Sequence, residues 1–192
     1  MFSIDLADDA RLIPLEARHA EEFLAHMERG RDFIGVHIGF PDAATDLESA
    51  RTLLTNYAQK AAADGGRLFG IRVDGTLMGG VLFRIFEADA GNCEIGCWLE
   101  PTAAGRGLIT KACRILIDYA FHERGMHRVE WHASALNTKS LAVAERLGMT
   151  REGVLRESHL HRGVRQDTEI WSVLAHEWPA APDVDPASPA AV

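Results

Sequence analysis

Trp98-Leu99-Glu100-Pro101-Thr102-Ala103-Ala104-Gly105-Arg106-Gly107-Leu108-Ile109-Thr110 is the stretch on which the reading of this chain turns. An apolar, strand-like segment feeds a loop of small residues that opens directly into a helix. Glycines let a main chain approach an anion closely, and the unpaired N–H groups and positive dipole end of a helix start point at the same place. A diphosphate could sit there, with Arg106 adding a charge-assisted bond. The same residues also suit a plain glycine-eased turn before a helix. Two better-known phosphate motifs do not apply: a dinucleotide fingerprint needs a third glycine where Thr110 stands, and a nucleotide P-loop needs Gly-Lys followed by Ser or Thr.

Upstream of this stretch, Glu94 to Leu99 reads as a strand. Leu68 to Val73 and Leu77 to Phe86 form a strand pair about Asp74-Gly75, a dipeptide suited to a tight hairpin. Earlier still, Arg11 to Leu15 reads as a first strand. Ala20, Phe23, Leu24 and Met27 give Glu16 to Arg29 a helical spacing. Gly35 to Pro41 breaks that pattern. A second helix is predicted to start with Thr45 and Glu48 in capping-box register and to bury Leu47, Ala50, Leu54, Tyr57 and Ala61. Downstream, Gly107 to Phe121 reads as a long helix burying Ile109, Ala112, Cys113, Leu116 and Ala120. Arg128 to Ser134 alternates as a strand, and Asn137 caps a helix running to Leu147, closed by Gly148. Val154 to His161 and Arg165 to Leu174 form a last hairpin about Arg162-Gly163. The expected order is β-α-α-β-β-β-α-β-α-β-β.

The 192 residues, 47% hydrophobic and 25% charged, suit a single domain over residues 1–178. The Pro/Ala-rich stretch 179–192 is expected to be a disordered tail. A formal charge of −8 leaves no basic excess for a nucleic-acid backbone. No apolar run approaches a membrane span and the N-terminus has no signal-like segment, so no nucleic acid and no membrane are expected as partners, and the location is expected to be cytoplasmic. Cys93, Cys97 and Cys113 are too few and too irregularly spaced for a disulfide framework or zinc knuckle, and read as core or near-core thiols. His159 and His161 share a strand face without a third ligand, so no metal is expected. Trp131 and Trp171 read as packing residues; only Trp98 adjoins the candidate anion loop.

Over about residues 10–178 the sequence resembles the RimJ/RimL branch of the GNAT N-acetyltransferases. The likeness is carried by Glu94-Ile95-Gly96-Cys97-Trp98-Leu99, Gly105-Arg106-Gly107, Asp118-Tyr119-Ala120-Phe121 and Arg128-Val129. It continues in Asn137-Thr138-Lys139-Ser140, Ala144-Glu145-Arg146-Leu147-Gly148-Met149, Glu152-Gly153 and Asp167 to Trp178. The resemblance implies an α/β GNAT fold: a mixed, mostly antiparallel, twisted sheet of about seven strands with helices on both faces. It implies acetyl-CoA as co-substrate, its pantetheine arm lying beside Glu94 to Leu99 where two strands splay, and its pyrophosphate on Ala104, Gly105, Arg106, Gly107, Leu108, Ile109 and Thr110. The wider pattern places Gln or Arg three residues before the first glycine; here that residue is Thr102.

The resemblance also implies that Asn137 contacts the pantetheine arm and that Ser140 protonates the departing thiolate, though both residues equally suit a helix cap. Glu94 is the expected general base, its alternative being a solvated strand-end carboxylate. A main-chain N–H near Leu99 would face the oxyanion. No cysteine sits beside a base in a recognisable nucleophile arrangement, so a ternary complex is expected rather than an acyl-enzyme. The expected acceptor is a primary amine, first a protein N-terminal α-amine and second a small molecule such as a polyamine or an aminoglycoside-like compound. A non-catalytic acyl-CoA-binding module and a different acyl donor are the alternatives, and a homodimer is compatible with the sequence.

Overall fold

The computed structural model describes residues 3–179. Its strands are β1 (Ile4–Ala7), β2 (Ala10–Pro14), β3 (Arg67–Val73), β4 (Thr76–Glu87), β5 (Asn92–Leu99), β6 (Arg128–Ser134), β7 (Thr150–His161) and β8 (Val164–Leu174). Its helices are α1 (Ala20–Ile34), α2 (Phe40–Ala43), α3 (Leu47–Ala62), α4 (Leu108–Asp118) and α5 (Thr138–Arg146). The strands form one sheet in the order β1-β2-β3-β4-β5-β6-β8-β7. Neighbours pair antiparallel except β5 and β6, which α4 connects in parallel.

Both faces of the sheet are covered, and the strands show it by burying successive residues on opposite sides. Leu12 joins one core cluster and Ile13 the other; Val81 and Phe83 point one way, Leu82 the other. Helices α4 and α5 close the first side through Ala112, Cys113, Leu116, Val143 and Ala144. Helices α1 and α3 close the second through Ala20, Phe23, Met27, Ala50 and Leu54. At about 25 cal/mol per Å² of apolar surface, each buried Val, Leu, Met or Phe among these contributes about 1.5–3 kcal/mol.

The expected element order is present, with additions and shifts. A short strand, β1, precedes the expected first one and pairs with it in a hairpin, making eight strands rather than about seven. Its four residues bury only Leu6, too brief an alternation to stand out. The capping box of α3 lies one residue later than Thr45 and Glu48: the Asp46 carboxylate accepts from Ser49 N–H at 2.8 Å while Asp46 N–H donates to Ser49 Oγ at 3.0 Å. The helix after the glycine loop widens into a π turn at Tyr119–Glu123. At the β3–β4 hairpin, Asp74 and Gly75 have φ of 48° and 77°, the left-handed pair that a two-residue turn requires. The expected tail, residues 179–192, lies outside the described residues except for Pro179.

Candidate active site

The site begins where β5 and β6 part. Their parallel pairing covers Asn92 with Arg128, Cys93 with Val129 and Glu94 with Glu130, and then stops. From Ile95 to Leu99, β5 remains paired to β4 on its other side, while β6 continues against β8. One edge of β5 is therefore left without a strand partner beside a cleft of about 550 Å³. Such an edge can be completed by a ligand carrying amide groups, because it presents main-chain donors and acceptors in strand register.

That edge runs into the glycine loop. After Leu99 the chain makes a 3-10 turn at Pro101–Ala103 and passes through Gly105 and Gly107, with φ of 80° and 74°, before α4 starts at Leu108. The first bond closing the helix is from Lys111 N–H to Gly107 O. Within the described residues, the N–H groups of residues 105–110 have no hydrogen-bond partner. A Cβ at Gly105 or Gly107 would meet nothing within 4 Å, so the space over the loop is open. The loop thus presents a group of free amides at a helix start, an arrangement able to receive an anion. Arg106 is otherwise engaged: its guanidinium pairs with Asp9 in the β1–β2 turn at 2.5 Å and holds that carboxyl below its usual range.

At the other end of the unpaired edge stands Glu94. It is 5% exposed, so the picture of a solvated strand-end carboxylate does not hold. Arg84 of β4 grips both its oxygens, Nε to Oε1 at 2.5 Å and a terminal N–H to Oε2 at 2.6 Å. Across the split, His132 of β6 brings Nδ1 to 3.6 Å from Glu94 Oε2, while its Nε2 lies 2.8 Å from Glu130 Oε2. Asn137 and Ser140 lie on the cleft wall. Asn137 Oδ1 accepts from Ser140 N–H at 3.2 Å, the expected cap, and Ser140 Oγ accepts the indole N–H of Trp131 at 3.0 Å.

An acetyltransferase (GNAT) domain model matches residues 10–150 of the chain. The chain belongs to the GNAT acetyltransferase family. It is 30% identical over 179 residues to a Bacillus subtilis (strain 168) protein named putative ribosomal N-acetyltransferase YdaF, covering 93% of this chain and 98% of that one. Among solved structures, a probable acetyltransferase superposes with a TM-score of 0.82 at 29% identity, covering 93% of this chain and 99% of its own. RimL, a ribosomal L7/L12 alpha-N-protein acetyltransferase solved with coenzyme A, superposes with a TM-score of 0.83 at 18% identity, covering 90% and 97%; at that identity the likeness is one of fold.

Three features of this acetyltransferase's cleft were not legible beforehand. First, the two tryptophans meet the cleft differently, Trp98 through its main chain and Trp131 through its indole N–H. The Trp98 indole is buried among Phe40 and α1, leaving its main chain at the β5 edge, and Gly80 makes room for it, since a Cβ there would lie 2.3 Å from the ring. Trp131, expected only to pack, reaches Ser140. Second, a chain of buried polar groups backs the edge: Trp98 N–H donates to His26 Nε2 at 2.8 Å, His26 Nδ1 lies 2.5 Å from Glu100, and Arg29 donates to the same Glu100 oxygen at 2.9 Å. Burial, outweighing the neighbouring carboxylate, holds the His26 imidazole below its ordinary pKa. Third, Cys97 faces the cleft while Cys93 and Cys113 are buried; burial pushes the Cys93 thiol up to about 12. Among the described residues no group of three or more His, Cys, Asp or Glu converges as a metal site, and no helix is long and apolar enough to cross a membrane.

Proposed function

We propose that this acetyltransferase uses acetyl-CoA to acetylate a primary amine, with a protein N-terminal α-amine as the preferred acceptor. The single observation that carries the reading is the continuity of the unpaired β5 edge with the free amides of residues 105–110. A pantetheine arm offers amides to the one, and a diphosphate suits the other. RimL, whose structure contains coenzyme A and whose acceptor is a protein α-amine, supports both halves of the reading.

Acetyl-CoA supplies an acetyl group activated as a thioester. The chain's own residues supply placement and proton handling. The loop from Ala104 to Thr110 holds the anion, and the Ile95–Leu99 edge with Asn137 aligns the arm. A main-chain N–H near Leu99 faces the charge that develops on the carbonyl oxygen. Glu94 holds the acceptor's ammonium where its proton is removed, a carboxylate that can act directly or through water. Ser140 is placed to give a proton to sulfur: its Oγ already accepts from Trp131, so its own O–H is directed elsewhere. Holding both reactants side by side in one complex is the larger part of the rate gain.

The test is incubation of the protein with labelled acetyl-CoA and a panel of acceptors: peptides with free N-terminal Ser or Ala, lysine-containing peptides blocked at the N-terminus, and polyamines. Mass spectrometry should find the label on the α-amine. Label on small amines alone overturns the protein acceptor, and coenzyme A binding without transfer to any of them overturns the enzyme reading.

A further inference from the structure

We propose that His132, oriented by Glu130, is the base that takes the proton from the acceptor, and that Glu94, pinned by Arg84, is the seat that holds the ammonium beside it. The inference rests on the amine-acetylation reading and deepens it.

The tautomer follows from the hydrogen bonds. A carboxylate only accepts, so the 2.8 Å contact with Glu130 places the proton of the neutral ring on His132 Nε2. The free lone pair is then on Nδ1, which faces Glu94 Oε2 at 3.6 Å, too far for a bond between them. Two acceptors at that spacing can both accept from one ammonium placed about 2.8 Å from each. Glu130 is itself fixed by Arg128, whose Nε donates to Oε1 at 2.7 Å, leaving Oε2 to the imidazole. The Arg128–Glu130–His132 series therefore lies along one face of β6 and ends in a lone pair at the cleft, 26% of the His132 side chain being exposed. A third group orienting a base is the usual sign that the base has work to do.

Glu94 is differently placed. Both its oxygens already accept from Arg84, so what it offers the cleft is a fixed negative edge well suited to gathering an ammonium. An imidazole is the side chain that ordinarily changes charge in the range where an amine must be deprotonated. The other titratable or charged groups lining this cleft are His37 after α1, Tyr57 on α3, Arg84 on β4, Glu94 and Cys97 on β5, and His159 on β7.

The step balances. One proton passes from the ammonium to His132 Nδ1. The freed nitrogen lone pair forms the C–N bond to the acetyl carbon as the C–S bond breaks. The imidazolium returns the first proton to water; as the C–S bond breaks, the second nitrogen proton passes to water while Ser140 gives its proton to sulfur and regains one from water.

Two measurements test this. Long-range 1H–15N spectra of the protein alone should show His132 neutral with its proton on Nε2, and Glu130→Gln should alter that pattern; a proton on Nδ1 in the unaltered protein overturns the inference. Acetylation of a peptide with a free N-terminal Ser, followed from about pH 6 to about pH 9, should show an acid limb in kcat/KM. His132→Gln should lower kcat by about 10²-fold, on the scale of a lost general base, and abolish that limb while coenzyme A affinity by calorimetry stays the same. His132→Ala should regain activity with added imidazole. Glu130→Gln, which keeps the imidazole, should give a smaller loss with the limb displaced. If the unaltered protein transfers acetyl and the two His132 variants keep its limb, this inference fails alone. If the unaltered protein transfers to no amine, the function reading fails and takes the inference with it.

Discussion

The indole N–H of Trp98 donates to Nε2 of His26 at 2.8 Å, in a part of the molecule where His26 is 0% exposed. Because Nε2 accepts, the ring must be neutral there; a second proton would set two donors against each other. Burial is the main cause of the lowered His26 pKa, with Glu100 opposing it. A histidine depressed below its ordinary 6.5 contributes stability that is full above that value and is lost as pH falls below it toward the folded pKa. His19 and His37 are lowered by burial too, so they add with the same sign. The melting temperature should therefore drop as pH falls from about 7.5 to about 5.5, and His26→Asn should flatten that drop while costing about 1–3 kcal/mol, since Trp98 and Glu100 lose a buried partner. A melting curve with the same pH slope in both proteins would contradict the assignment.

Gly105→Glu should abolish coenzyme A binding while leaving the fold in place. The loop amides have no partner to lose and the space above Gly105 is open, so a bulky anion would sit where we propose the diphosphate binds. The left-handed φ of 80° adds a strain of about 1–2 kcal/mol. Calorimetry reads the affinity and circular dichroism the fold; unchanged affinity would refute the loop assignment.

The loop could be read in advance because all its parts are neighbours in the chain: a strand, two glycines and a helix start within thirteen residues. The Asn137 cap and the Asp74-Gly75 turn are local in the same way, and both are present. The cleft's polar groups are not local. Glu94 could be singled out, but its burial depends on Arg84, which sits at a register shift between Phe83 and Ile85 that no alternation pattern reveals. His26 and Glu100 lie 74 positions apart and meet only because α1 covers the end of β5. Along the alternating strand Arg128 to Ser134, His132 is one polar residue among several. Its value comes from the lateral order that sets β6 beside β5, and no spacing along the chain encodes that order.

Arg84→Met tests how far Glu94 depends on its partner. The carboxylate side chain is 6% exposed and would lose the donors on both of its oxygens to an apolar group. Because Arg84 is itself half-exposed, water can replace part of what is lost, so the cost should be about 2–3 kcal/mol, below the range for a fully buried pair. Denaturant unfolding measures it. The double variant Arg84→Met with Glu94→Gln should regain much of the loss, since the stranded charge is gone; equal stability of the single variant and the unaltered protein would show that the pair carries no weight.

Ser140→Ala separates the two tasks that meet at one hydroxyl. As part of the α5 start, Ser140 contributes its N–H to Asn137, and alanine keeps that bond, so the helix should survive. As a side chain, Ser140 accepts the Trp131 N–H at 3.0 Å, and alanine leaves that donor unpaired at a cost of about 1 kcal/mol, visible as a small fall in melting temperature. If the hydroxyl also protonates sulfur, kcat should fall by about 10²-fold or more while coenzyme A affinity changes little, because the lost interaction belongs to the reaction and not to binding. Trp131→Phe supplies the control: it removes the donor and keeps the hydroxyl, so its stability loss comes from the space the smaller ring leaves in the core, and turnover should fall less than in Ser140→Ala. Equal kcat in Ser140→Ala and the unaltered protein would remove the hydroxyl from the mechanism, and an equal fall in both variants would assign the effect to packing around Trp131.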